Sequence, residues 1–267
     1  LDDRLQTLAG AVYASVNLDF YGIGNDSWLR NHPLRYTLKP EAGLLHGKYR
    51  IGESRVHAGV GYAFATTEVS FDAPASTPRL PDFRNVSRVG GMTLSLTYDT
   101  RDNIFMPRSG RYLDVSGGLF SQVLGSDSDF QRAGLTAIQY VPLGREVTLG
   151  VNGGAMMSFG NAPFYMLPFI SLRGVPVMGY QGDDVAQVEA ELRWQCWKRF
   201  SIVVFGGGGI AWNDFTRVDN SITVTAGGAG FRYEIARSYG LHMGLDVAYG
   251  PDGPAVYVQV GSAWLRP

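Results

Sequence analysis

Along most of this chain apolar and polar residues alternate with a period of two. Val12, Ala14, Val16, Leu18 and Phe20 are apolar, whereas Thr7, Ser15, Asn17 and Asp19 occupy the other phase. That is the pattern of a strand with one apolar face. Met92, Leu94, Leu96 and Tyr98 repeat it against Thr93, Ser95, Thr97 and Asp99. Val188, Ala190, Leu192 and Trp194 oppose Gln187, Glu189, Glu191 and Arg193, so charge is confined to one face. The alternation predicts twelve strands, at about 7–20, 35–51, 55–70, 88–99, 111–124, 131–142, 147–159, 185–196, 201–212, 222–235, 240–249 and 255–264. The segments at 35–51, 131–142 and 201–212 lose phase, as bulged strands do.

Two features favour a membrane barrel over a soluble sandwich or lipocalin-like fold. Short connections (52–54, 144–146, 197–200, 236–239) alternate with longer ones (21–34, 71–87, 160–184, 213–221), as periplasmic turns alternate with external loops. Aromatic residues gather at strand ends, at Phe20, Tyr21, Trp194, Trp197, Phe200, Trp212, Tyr249 and Trp264, where a girdle would meet the membrane interface. The expected fold is therefore all-β, a closed antiparallel transmembrane barrel of about twelve strands forming one domain over residues 1–267, with the loop at about 160–184 folded into the lumen.

Composition narrows the chemistry. The 35 glycines suit curved, closely packed strands better than helices. A net charge of −1 offers no basic stripe for nucleic acid, and a single cysteine, Cys196, excludes an internal disulfide framework. No apolar run is long enough for a transmembrane helix. The first residues lack the pattern of a secretion signal, so an exported protein is expected to be represented here by its mature chain.

Three segments resemble one family, the bacterial surface antigen barrels of the BamA, TamA and FhaC type. The first is the turn Asp99, Arg101, Asp102, Asn103, Pro107 and Gly110. The second is Ser171, Leu172, Arg173 and Gly174, followed by Tyr180, Gly182, Asp183 and the strand carrying Glu191, Arg193 and Trp194. The third is the terminal strand signal Val258, Val260, Gly261 and Trp264. The resemblance implies that the arginine loop precedes the fifth strand from the end, arises outside and folds into the lumen. Family barrels usually have sixteen strands, so twelve imply either a reduced barrel or four N-terminal strands beyond this sequence, and no room is left for periplasmic POTRA domains.

Val175 stands where the loop signature has an aromatic residue, and Gly206 to Gly209 where many members place an acid near the loop arginine. The expected partner of Arg173 is therefore Glu189 or Glu191, both on the lumenal face, because a partly desolvated cation needs a carboxylate. A solvated loop arginine is the alternative.

Functionally, the resemblance implies assembly of outer-membrane proteins, or transport of polypeptide or lipid-linked material, in the bacterial outer membrane, with no covalent chemistry and no cofactor. Its partners would be outer-membrane lipid, unfolded outer-membrane or secreted polypeptides and a second copy, with no nucleic acid. The segments 7–20 and 255–264 would meet at a weak seam open to strand addition. Arg173 and Gly174 would anchor the loop, and Trp264 would seat the closing strand at the membrane interface. A passive channel or structural barrel is the competing expectation. Asp99, Asp102 and Asn103, like Asp127 and Asp129, read better as turn formers than as metal ligands, and Gly206 to Gly209 lacks the residues of a phosphate loop. A lipid hydrolase would need one of His32, His46, His57 and His242 beside a serine, which local spacing does not provide.

Overall fold

The computed structural model describes residues 4–21, 34–71, 83–213 and 221–265. Strands dominate it: β1 (Leu5–Tyr13), β2 (Val16–Phe20), β3 (Leu34–Arg50), β4 (Val56–Phe71), β5 (Phe83–Asp99), β6 (Gly110–Phe120), β7 (Phe130–Pro142), β8 (Val147–Gly160), β9 (Asp184–Trp197), β10 (Phe200–Trp212), β11 (Ile222–Ala236), β12 (Leu241–Gly250) and β13 (Gly253–Val260). They form one antiparallel meander in which chain neighbours pair in order from β3 to β13. β1 and β2 both pair with β3 in continuous register, Tyr13 opposite Glu41 and Val16 opposite Leu38. Between them the ladder meets Pro40, which has no N–H to donate. β1 and β2 are thus one strand interrupted by a proline on its neighbour, and the sheet has the twelve-strand meander that the alternation predicts.

The sheet is polar inside and apolar outside. On β9, Val188, Leu192 and Trp194 are 51%, 43% and 48% exposed, whereas Glu189, Glu191 and Arg193 are 5%, 6% and 8% exposed. Val60 and Tyr62 on β4, Leu94 and Leu96 on β5, and Val247 on β12 extend the outward apolar surface. This reverses the arrangement of a water-soluble protein and matches a sheet with hydrocarbon outside and a polar lumen within. Among the described residues no helix is long and apolar enough to cross a membrane.

Loop residues bring the two ends of the sheet round a common interior. Phe164 packs against Phe20 on β2, Tyr36 on β3 and Phe71 on β4. Nine residues later, Arg173 reaches β9 and β12. No backbone ladder joins β1 to β13 among the described residues.

The predicted phase breaks have two origins. β10 does shift register against β9, between Phe200 and Ile202. β3 and β7 keep their register throughout, so no bulge explains them. On β7 the inner positions Ile138 and Tyr140 are apolar because they pack with Tyr112 and Trp264 inside the lumen. On β10 the inner Val203 and Phe205 are also buried and apolar. Alternation of loop length likewise has two exceptions. The β5–β6 connection is long on the short-turn side, and β12–β13 is a tight hairpin on the long-loop side.

Candidate functional site

The loop between β8 and β9 opens with a 3-10 turn at Phe164–Met166. It then carries Ile170, Leu172, Val175 and Tyr180 against the inner faces of β9, β10 and β11, in contact with Val185, Ala211, Ile222 and Val224. Those apolar contacts seat the loop. The glycine run on β10 contributes space: a Cβ on Gly209 would lie 2.6 Å from Ile170. At the loop tip Gly174 adopts φ +92°, and a Cβ on Gly250 of β12 would lie 1.9 Å from the Gly174 carbonyl oxygen. A side chain at position 250 would push the tip off the wall.

This packing delivers Arg173 to a layer of acids. Its Nε donates to Glu189 Oε1 at 2.8 Å, and its Nη1 donates to Glu191 Oε2 at 2.8 Å and to Asp246 Oδ2 at 2.9 Å. The guanidinium also lies 3.6 Å from the centre of the Phe205 ring, which forms an apolar floor beneath it. Burial alone would lower its pKa, but Glu191 and Glu189 outweigh burial and hold the group above its ordinary value. Arg173 is thus a fixed cation, and the pairing expected with Glu189 or Glu191 occurs with both. Ser171 joins the same wall by donating its backbone N–H to Gln187 Oε1 at 2.7 Å.

Two residues of this layer were not anticipated. Asp246 on β12 is fully buried and also accepts two hydrogen bonds from the fully buried Arg232 of β11, one of them at 2.8 Å. Arg193, Arg173 and Arg232 then balance Glu189, Glu191 and Asp246 in charge. Asp246 stands between Leu245 and Val247 in the inward phase, which was a readable signal, but its height in the barrel depends on the registers of four strands.

Trp264 requires a correction. It is buried in the lumen, not seated at the membrane interface. Past β13 the chain turns at Gly261, φ +78°, and Ser262 donates its backbone N–H to the Phe105 carbonyl. The indole then packs on Tyr140 and donates from Nε1 to Glu189 Oε2 at 2.7 Å. A buried indole N–H needs an acceptor, and the lumenal acid supplies it. Phe20 and Tyr21 also leave the expected girdle to pack on Phe164 and Tyr180, while Trp194, Trp197, Phe200 and Tyr249 remain outward. Trp264→Phe keeps the ring packing but deprives Glu189 of a donor. It is expected to lower stability by about 1–3 kcal/mol, read as a lower urea midpoint for the barrel in micelles.

The β5–β6 turn closes the opposite side of this layer. Asp99 receives the backbone N–H and side chain of Arg101 at 2.7–3.2 Å. Asp102 accepts from Arg108 N, and Asn103 accepts from Phe105 N and Met106 N while donating to the Tyr239 carbonyl. Arg193 donates to the Pro107 carbonyl, and Gly110 begins β6. These oxygens are spent on backbone and arginine donors. Asp127 and Asp129 similarly accept from Arg88 N and Gln122 N.

Of the histidines, His46 lies with Nε2 3.4 Å from Ser95 Oγ on the lumenal face, a neighbour contributed by β5 that local spacing could not reveal. His242 Nδ1 meets the Gly240 carbonyl at 2.9 Å, and His32 lies outside the described residues. No carboxylate bonds His46 among the described residues, so the His46 and Ser95 pair lacks the orienting acid of a hydrolytic triad.

A family model described as the Omp85 superfamily domain matches residues 87–252. No curated protein matches the chain by sequence. Among solved structures, the crystal structure of BamA from Haemophilus ducreyi lacking POTRA domains 1-3 is similar, with a TM-score of 0.62 at 15% identity. The alignment covers 96% of this chain and 57% of that one, so the chain spans little more than half the length of that relative.

Proposed function

The chain belongs to the Omp85 superfamily, and on that premise we propose that it is a bacterial outer-membrane barrel that assembles or translocates polypeptide or lipid-linked material. It does so without covalent chemistry of its own, and residues 1–267 act as one barrel domain. Its apolar belt meets outer-membrane lipid. Its clients are unfolded outer-membrane or secreted polypeptides, with a second copy as a further partner.

The observation that carries this reading is the coupling of the last strand to the arginine loop. Gly174 donates its backbone N–H to Tyr257 Oη of β13 at 2.9 Å. Just past β13, Trp264 bonds the same Glu189 that holds Arg173. Among the described residues β1 and β13 each pair on one side only. An unpaired strand edge in hydrocarbon is costly, so it favours pairing with the other edge or with an arriving strand. The loop network sets the position of β13 and therefore the ease of that exchange. The loop and Trp264 also occupy the lumen, which argues against a wide passive channel.

The test is depletion in the native cell followed by quantification of folded outer-membrane barrels and secreted proteins. The expected result is a fall in one of these classes, restored by the wild-type chain and poorly by Arg173→Ala. Unchanged levels of both, with conductance in planar bilayers that depends only on solute size, would replace this reading with the channel.

A further inference from the structure

Between the arginine loop and the inner faces of β7, β8 and β9 lies a cavity of about 500 Å³. Its polar lining includes Arg132, Thr136, Asn152, Gln187 and Arg173, with Met156 and Val175 supplying apolar wall. Arg132 differs from Arg193, which donates to the Pro107 carbonyl, and from the buried arginines that have acid partners. Arg101 pairs with Asp99, Arg173 with three acids and Arg232 with Asp246. The hydrogen bond of Arg132 runs from Nη2 to the Met156 sulfur at 3.9 Å, and no carboxylate lies within ion-pair distance among the described residues.

Two further groups in the cavity wall are buried and unpartnered. Arg173 Nη2 bonds nothing although Nε and Nη1 are fully engaged, and Asn152 Oδ1 has no donor. The amide of Asn152 is therefore free to turn its NH2 group into the cavity. Glu189 also lines the space, but its two oxygens already accept from Arg173 and Trp264. The cavity thus offers one unpaired cation and unused N–H donors, and its volume suits a small solute. A half-buried cation without an acid is stabilised most by an oxyanion.

We propose that this cavity binds a solute with an oxyanion head group, phosphate or carboxylate, held by Arg132 with Arg173 Nη2 and Asn152 as further donors. The proposal does not depend on the assembly reading. The full chain, folded in a micelle free of phospholipid, is dialysed against radiolabelled inorganic phosphate at low ionic strength. One saturable site is expected, weakened about tenfold to a hundredfold by Arg132→Gln and largely retained in Arg132→Lys. Arg88→Gln, at an exposed partner of Asp127, leaves it unchanged. If Arg132→Gln does not fold, Arg132→Met, packed beside Met156, takes its place. Competition by dihexanoyl phosphatidic acid stronger than by phosphate identifies a lipid head group as the occupant, and weaker competition identifies a free solute. Absence of saturable binding, or equal binding by wild type and the neutral Arg132 variant, overturns the proposal.

Discussion

Arg173→Ala is expected to destabilise the barrel by about 3–5 kcal/mol and to expose residues 160–184 to protease. The side chain is the one cation of the loop that touches Glu189, Glu191 and Asp246 together. Its removal leaves the buried Glu189 and Glu191 without their shared cation, so much of the loss is the cost of uncompensated charge. Equilibrium unfolding in urea and limited proteolysis, both in micelles, measure the two effects. Arg173→Lys should fall between wild type and alanine, because an ammonium keeps the charge but cannot reproduce a planar fork reaching three acids. Equal stability of wild type and alanine would mean that the loop is held by its apolar residues alone.

Asp246→Ala should cost a similar amount, about 3–5 kcal/mol, for the opposite reason. Arg232 is fully buried and has its two close acidic contacts at Asp246, with Glu191 farther away at 4.0 Å. Losing the aspartate strands one buried cation and removes one of three acids from Arg173. A double variant distinguishes this from simple loss of packing. Asp246→Ala combined with Arg232→Met should recover much of the stability lost by the single change, because removing both members of a buried pair leaves no orphaned charge. Additive losses in the urea midpoint would contradict the charge argument.

Much of this site was legible in local alternation. The strict period of β9 assigns Glu189 and Glu191 to the inner face, and a loop arginine entering the lumen must find acids there. Asp246 and Arg232 were harder, because their meeting with Arg173 depends on the registers of β9 through β12, which add up only in three dimensions. Trp264 misled for a physical reason. A tryptophan ending an apolar strand suits a membrane interface, but Gly261 turns the chain inward and Glu189 accepts the indole proton. The lost phase of β7 had the same cause, since Ile138 and Tyr140 form the apolar seat of that indole. In β3 the register is likewise intact, and the inner Tyr36 is apolar because it is buried against Phe164 of the loop.

The sheet carries its charge on the inner face and its apolar residues on the outer one, where lipid would lie. Nitroxide labels placed singly from Met92 to Thr97 on β5, in the barrel reconstituted into bilayers with Cys196→Ser, test this most directly. Labels at Met92, Leu94 and Leu96 should be accessible to oxygen dissolved in the hydrocarbon, and those at Thr93, Ser95 and Thr97 protected from it. Reversed phase, or equal access of a water-soluble relaxant to all six positions, would contradict the barrel and the lumenal site built within it.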